Sequence, residues 1–522
     1  MCLLCRSSGY YAGLRQHGIV AALVKCQLSR CDFRVRKIAR TIFAMQQERL
    51  IVAGDNLQGQ CFLPGFPGAV PTAAPLAALP GGRRVAQTAL GASFTLLLDS
   101  DGEVWAAGEN RLGQLGRAHA NNDRPQAEQQ PARGRVLPRL AQPDSRIMRR
   151  VAGFGGERVA CIAAGNSHGA AVTEGGQLFA WGCNIDGQCG TGKIGYAPVL
   201  TATRCVAGAL AEADVRVAFV ACGGLHTVAV TTDGGVIVFG GNFCGQLGLG
   251  SSGSSRPAPE QLACAALVGV RIVGCAAGGN FTHLVSDDGH VFAMGRNGSG
   301  QLGLGHTTDT HTPTEIGAQH FGGKAVAAVA GGASHVLVLT VDGELFACGQ
   351  GSKGATGLGH TAGALTPQRV AGAADVCVVR IAAGIRHSSA LTHDGRVFAF
   401  GTGGGTPAAG AGGVPQLLLQ GALADAAAAV RALGSGCSTG HSTFVPGAPP
   451  RAPGFDAPLT FPWFRRRTLL LCLLAVHAEP RAEGAPPPPP PQAAAAVDDD
   501  VLLRVAALPN GLWKGPCIFQ YL

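Results

Sequence analysis

The sequence predicts an all-β protein built from one repeated unit. Three observations predict it. The 522 residues include 79 glycines, with 6% aromatic and 14% charged side chains, a composition suited to short strands and tight turns. The stretch GGLHTVAVTTDGGVIVFGGNFCGQLGLG, Gly223 to Gly250, reads as strand, turn, strand and glycine-rich loop. That stretch returns at 92–116, 166–190, 280–305, 333–359 and 385–405.

Each part of the repeat has a physical reason. The first strand is a short apolar or β-branched run such as His226–Val230, the second another such as Val236–Phe239, with none of the 3.6-residue periodicity of a helix. Between them Asp233-Gly234 supplies the positive-φ positions of a tight hairpin. Asp101-Gly102, Asp288-Gly289, Asp342-Gly343 and Asp394-Gly395 do the same, and Gly175-Gly176 substitutes. The Gly-x-Asn-x-x-Gly-Gln-Leu-Gly that follows lets the backbone double back, with Asn and Gln bonding the loop backbone.

Two marks align the copies: the residue opening the first strand and the glycine closing the second. They are Phe94 and Gly108, His168 and Gly182, His226 and Gly240, Phe281 and Gly295, His335 and Gly349, His387 and Gly401, always 14 residues apart. Two half-copies remain. Residues 50–61 match the second strand, with Gly54 in the glycine position, and 435–445 match the first, with His441. Successive copies start 74, 58, 55, 54, 52 and 54 residues apart, room for four strands of about 5–6 residues each. Sheet edges carry unpaired N–H and C=O groups, and radial repetition protects them. The expected fold is therefore a seven-bladed β-propeller of four-stranded antiparallel blades, its last blade closed by strands from the two ends of the chain. The expected organisation is a basic extension over 1–49, the propeller over 50–447 and a Pro/Ala-rich extension over 448–522.

At this point the sequence resembles the regulator of chromosome condensation family of β-propellers. The matching features are the His-Ser/Thr start, the Asp-Gly hairpin, the aromatic-x-x-Gly-x-Asn turn and Gly-Gln-Leu-Gly, over roughly residues 50–447. The resemblance implies one of three uses: nucleotide exchange on the GTPase Ran with chromatin docking, a binding scaffold including modules of ubiquitin ligases, or plant ultraviolet-B reception. The last needs clustered tryptophans, and the propeller has only Trp105 and Trp181, both at the repeat's aromatic position. Exchange-type members carry acidic side chains just before the repeat histidine. Here those pairs are Ala92-Ser93, Asn166-Ser167, Gly224-Leu225, Gly279-Asn280, Ala333-Ser334, Ile385-Arg386 and Thr439-Gly440, none acidic. One long basic insertion, containing residues 133–158, is expected between two blades.

Charge and cysteine usage narrow the classes further. Residues 1–50 hold nine basic and two acidic residues, a net +7 of the chain's +9, so the body is near neutral and has no global electrostatic case for nucleic acid. The basic head suits an acidic or chromatin partner, a mitochondrial presequence, or a poorly ordered or weakly helical extension. The 18 cysteines lack framework spacing and read as small apolar fillers in a reducing compartment. Cys2-x2-Cys5 and Cys26-x4-Cys31 are too loose for a zinc knuckle. No secretory signal is read, and the apolar run Thr468–Val476 is nine residues against about 20 for a bilayer span. The tail, with six prolines at 486–491, reads as a stiff linker.

His168, His226, His335, His387 and His441 recur once per blade and are expected to be structural, each tying its strand to neighbouring backbone; Gly54, Gly108, Gly182, Gly240, Gly295, Gly349 and Gly401 are the matching turn positions. Phe94 and Phe281 replace the histidine by packing. No catalytic arrangement, metal site or cofactor is expected. The expected function is a non-catalytic protein-interaction scaffold, with guanine-nucleotide exchange on a Ran-like GTPase as the alternative. Partner-binding residues are placed at Asn166, Leu225, Asn280, Arg386, Arg133, Arg135, Arg149 and Arg150. The partner is a protein, a small GTPase or a ubiquitin-pathway component among the options, with chromatin weakly suggested by 1–49. The expected setting is a monomer away from membranes, cytoplasmic or nuclear, with mitochondria as the alternative.

Overall fold

The computed structural model describes residues 51–54, 70–75, 79, 83–117, 148–212, 214–370, 372, 376–393, 396–402, 414–419, 429–434 and 441–447. The strands run in chain order. The first two are β1 (Ile51–Gly54) and β2 (Val70–Pro75). The first blade is β3 (Val85–Leu90), β4 (Phe94–Asp99), β5 (Val104–Gly108) and β6 (Arg149–Arg150). The second is β7 (Val159–Ala164), β8 (His168–Thr173), β9 (Leu178–Gly182) and β10 (Val199–Arg204). The third is β11 (Val217–Cys222), β12 (His226–Thr231), β13 (Val236–Gly240) and β14 (Arg256–Gln261). The fourth is β15 (Ile272–Ala277), β16 (Phe281–Ser286), β17 (Val291–Gly295) and β18 (Thr310–Ile316). The fifth is β19 (Val326–Gly331), β20 (His335–Thr340), β21 (Leu345–Gly349) and β22 (Ala364–Arg369). The sixth is β23 (Val378–Ala383), β24 (His387–Thr392), β25 (Val397–Gly401) and β26 (Gln416–Leu419). The chain's last two strands are β27 (Ala429–Gly434) and β28 (His441–Gly447).

Each blade is an up-and-down antiparallel meander. In the six blades the second and third strands are buried apart from half-buried Phe398, because both blade faces pack against neighbours. Side chains alternate along them. Leu337 and Leu339 of β20 face the sixth blade, whereas Val336 and Val338 face the fourth. Five such cores join the six blades in sequence.

The expectation of seven like blades is corrected here. Six blades, each written by one contiguous piece of chain, share these cores. β1, β2, β27 and β28 form a further four-stranded sheet in the order β2-β1-β28-β27, with Gly54 opposite His441. Its inner strand β27 lies beside β3 and beside β23 and β24, but its side chains fall outside the described residues. Half-copies at the two chain ends define a strand pairing without defining a packed interface, which is why counting motifs overstated the number of equivalent blades. The expected extensions over 1–49 and 448–522 also lie outside the described residues.

Two further expectations change. In the hairpins Gly234 N–H bonds Thr231 O at 3.0 Å and Thr231 N–H bonds Gly235 O at 2.9 Å, enclosing a three-residue loop with Gly234 left-handed at φ 91°. One positive-φ position therefore suffices, as in a type I turn followed by a glycine bulge. Asp394-Gly395 lies outside the described residues. The long insertion is not simply between blades: it contains β6, the fourth strand of the first blade, and its residues up to Met148 fall in the chain between that blade's third and fourth strands.

The glycine closing each third strand has no substitute. Gly108, Gly182, Gly240, Gly295, Gly349 and Gly401 have φ of 115°, 100°, 101°, 105°, 99° and 94°. A Cβ on each would stand 2.3–2.6 Å from the carbonyl oxygen just before the first-strand mark. Gly240→Ala is therefore expected to destabilise the chain by about 1–3 kcal/mol or more, read as a lowered urea midpoint; an unchanged midpoint would count against this close approach.

Candidate functional site

The meander sends the turns before the second strand and the loops after the third to one end of the ring, here the turn face. The hairpins and the connections to the next blade lie at the other end, the hairpin face. Asn166, Leu225, Asn280 and Arg386 all occupy the turns of the turn face. Arg386 is exposed and the other three are half-buried. Their backbone is held from two sides. Outward, Cys183, Gly241, Arg296, Gln350 and Thr402 donate N–H bonds of 2.7–2.9 Å to the residue before the repeat mark. Sideways, Ala92 N–H bonds Asn166 O at 3.2 Å, Gly224 bonds Gly279 O at 3.0 Å, Gly279 bonds Gly332 O at 3.2 Å and Ala333 bonds Gly384 O at 3.2 Å, each reaching the next blade.

The loops behind these turns are fixed by their own amides. Asn110, Asn184, Asn242 and Asn297 accept through Oδ1 from the N–H five residues on, at 2.9, 3.0, 3.1 and 3.0 Å. Gln114, Gln188, Gln246 and Gln301 accept through Oε1 from the N–H two residues back, at 2.8, 2.9, 2.9 and 2.8 Å. These side chains mimic backbone partners in a segment that has no strand to pair with.

The repeat histidines reach further than neighbouring backbone. His168 Nε2 is 3.0 Å from Thr227 Oγ1, His226 Nε2 is 3.0 Å from Thr282 Oγ1, and His335 Nε2 is 2.8 Å from Ser388 Oγ. Those hydroxyls donate to Gln188 O at 2.9 Å, Gln246 O at 2.8 Å and Ala355 O at 2.7 Å. A hydroxyl whose proton is committed to a carbonyl accepts from the ring, so the imidazole is the neutral Nε2–H form. Each chain of three groups starts in one blade, crosses to a hydroxyl of the next and returns to a carbonyl of the first. Phe94 and Phe281 occupy the same slot. A Cβ at Gly91 or Gly278 would meet their rings, just as one at Gly165 or Gly223 would meet His168 or His226. The next blade then carries Gly169 or Val336, not a hydroxyl.

Burial pushes His168 and His387 down to about 4 and His226 and His335 down to about 3. These imidazoles are fully buried. His283, two residues after Phe281, is also buried and lowered to about 4 by the same desolvation. Burial likewise raises the thiols of Cys161 to about 11 and of Cys205 and Cys348 to about 12. Among the described residues no three His, Cys, Asp or Glu side chains form a metal-binding group.

The remaining expected contacts separate. Arg149 and Arg150 sit on the outer strand β6, and Arg150 pairs with Glu103 near the hairpin face. They do not join Arg386 at the turn face. Arg133 and Arg135 lie outside the described residues. The backbones of Gly54 and His441 pair directly. Sequence reasoning missed several exposed side chains of the turn face: Ile194, Tyr196 and Phe243, at 54%, 64% and 48% exposure, and Arg296 and Lys353. One signal was available. The residue after each loop asparagine is Arg111, Ile185, Phe243 and Gly298, and an aromatic at such a loop tip has no core to enter.

This geometry is that of a repeat propeller with one structured loop face, and the chain belongs to the RCC1-like domain family, whose description matches residues 49–416. It is 35% identical over 246 residues to the ultraviolet-B receptor UVR8 of Arabidopsis thaliana, covering 47% of this chain and 53% of that protein. It is 31% identical over 331 residues to the probable E3 ubiquitin-protein ligase HERC6 of Homo sapiens, covering 62% and 29%. The chain thus spans about half or less of these curated relatives. Among solved structures it resembles human WBSCR16, with TM-score 0.63 and 22% identity over 77% of this chain and 99% of the other. It also resembles yeast RCC1 (Prp20), solved bound to Kap60, with TM-score 0.62 and 20% identity over 81% and 92%. At such identities these likenesses speak for the fold alone. No helix among the described residues is long and apolar enough to cross a membrane.

Two measurements check the histidine contacts. Thr282→Val leaves the buried His226 Nε2–H unpaired and is expected to cost about 1–3 kcal/mol. His226→Phe with Thr282→Val, the pairing this chain itself uses at Phe281 and Val336, is expected to cost less than the two single changes added. Strict additivity would count against a direct bond. The pH dependence has a definite sign. Folded-state values of about 3–4 lie below the ordinary 6.5, so the unfolded chain binds protons more readily. Stability is then full above pH about 6.5 and falls as pH drops towards 4, by up to about 1.4 kcal/mol per pH unit for each histidine. Urea midpoints at pH 7, 6 and 5 read this slope, and a flat profile would contradict it.

Proposed function

We propose that this RCC1-like propeller is a non-catalytic interaction platform that engages a protein partner through its turn face. One observation carries the reading: Asn166, Leu225, Asn280 and Arg386, from four different blades, are presented by turns whose backbone is bonded both within and between blades. Such a surface is pre-organised, so little ordering entropy is lost on binding. The names of the curated relatives, a light receptor and ubiquitin-type ligases, fit propellers used as recognition modules within longer proteins. A cytoplasmic or nuclear setting goes with this proposal, and nothing in the comparisons favours the mitochondrial alternative.

The second reading is guanine-nucleotide exchange on a Ran-like GTPase. A solved structure of Saccharomyces cerevisiae Prp20p, described with its binding to Gsp1p and histones, motivates it. Against it, none of the turn positions before the repeat marks carries a carboxylate. An exchange factor acts by stabilising the nucleotide-free GTPase, so release of labelled GDP from Ran separates the readings. Release unchanged by the purified chain is expected, and acceleration by tenfold or more, on the order of 1.4 kcal/mol of barrier, would reverse their order.

A further inference from the structure

The turn face is two-sided in its chemistry. On the second and third blades it carries large exposed apolar side chains, with Lys193 beside them. Ile194 and Tyr196 stand out from the loop after β9, and Phe243 stands out after β13. A Cβ at Gly241 would be 3.2 Å from the Phe243 ring and 3.3 Å from Leu225, so those two side chains border one spot. Large exposed apolar groups gathered at one end of a ring mark an interaction surface more often than scattered ones do.

On the fourth, fifth and sixth blades the same face carries cations, with Ile385 exposed beside Arg386. Arg296, Lys353 and Arg386 are exposed, and none forms an ion pair with a described residue. Cations at the hairpin face are occupied. Arg83 pairs with Asp99 at 3.0 Å, Arg158 with Glu174 at 3.0 Å, Lys324 with Glu344 at 2.9 Å, and Arg369 with Glu344 at 2.8 Å. The turn-face carboxylates are engaged as well. Glu109 pairs with Arg111 at 3.2 Å, Asp186 accepts from Ser255 at 3.2 Å, and Asp309 accepts the Asn297 N–H at 2.8 Å. On the described turn face exposed Lys193, Arg296, Lys353 and Arg386 outnumber Asp186 and Asp309, whose partners are neutral donors, so the balance of these charges is positive and adjoins uncovered apolar surface.

Resting on the proposed interaction role and naming its chemistry, we propose that the turn face takes an extended protein segment in which large apolar side chains are followed by carboxylates. The apolar residues cover Phe243, Leu225, Ile194 and Tyr196, and the carboxylates meet Arg296, Lys353 and Arg386. A nucleic acid fits less well, because Glu109, Asp186 and Asp309 share the face and uncovered apolar side chains occupy part of it. A second copy of the chain would bring two like-charged arcs together.

The test uses the full chain and a fluorescein-labelled synthetic peptide of Trp-Leu followed by four glutamates. Anisotropy should report saturable binding that weakens as salt rises. R296E/K353E/R386E is expected to weaken it about tenfold or more and F243S about threefold or more, while R204E on the outer strand β10 changes nothing. A peptide with lysines in place of the glutamates should prefer the triple variant. Arg204, Phe243, Arg296, Lys353 and Arg386 are exposed and Ser334 is half-buried, and circular dichroism of every variant confirms folding. Absence of peptide binding, indifference to the triple variant, displacement by a single-stranded 20-nucleotide probe, or self-association through this face would each overturn the proposal. S334W, which blocks the face whatever its chemistry, separates the two levels. If S334W removes co-purifying partners and the triple variant does not, the interaction role stands and this inference fails. If neither removes them, both fail.

Discussion

Between neighbouring blades a histidine, a hydroxyl and a peptide carbonyl line up, and the rest of the ring depends on that line. Blade faces are apolar and could slide past one another at little cost, since dispersion and hydrophobic burial are weakly directional. The His226–Thr282–Gln246 contact is directional. It is buried, so leaving any member unpaired costs a desolvation penalty, and that sets the angle and height of one blade on the next. Where the chain abandons it, at Phe94 and Phe281, ring packing over Gly91 and Gly278 takes over.

Once blade register is set, the turns over the histidines have little freedom. The glycine closing the third strand must lie against the carbonyl before the histidine, and the next residue's N–H bonds that carbonyl. The Asn and Gln amides then pin the following loop. Backbone rigidity at the turn face is thus a consequence of core geometry, whereas side chains there such as Phe243 and Arg386 are exposed. That division lets one framework carry different partner chemistry without loss of stability.

The hairpin face is used differently. Arg158, Arg216 and Arg271 precede inner strands and lie over Gly102, Gly176 and Gly234 of the preceding blade. Arg271 donates to Thr232 O at 2.8 Å and Asp233 O at 3.0 Å. These cations stitch blade to blade by donating to carbonyls of the preceding blade.

Much of this was legible in the linear order of residues. The 14-residue offset, the Asp-Gly turns and the loop amides are local, because each reflects the conformation of a few consecutive residues, and local conformation is what side-chain type dictates most directly. Even the inter-blade contact leaves a trace: histidines at 168, 226, 335, 387 and 441 are matched one copy later by Thr227, Thr282, Ser388, Ser442 and Thr95, whereas Phe94 and Phe281 are matched by Gly169 and Val336. Only the tertiary structure decided which parts of the chain share an interface. It put Arg150 on Glu103 and away from Arg386, placed the insertion within the first blade, gave six blades a common series of cores, and gathered Ile194, Phe243, Arg296 and Lys353 at one end. Those facts depend on contacts between residues far apart in the chain, whose alignment follows from how whole blades pack and from no property of any short segment.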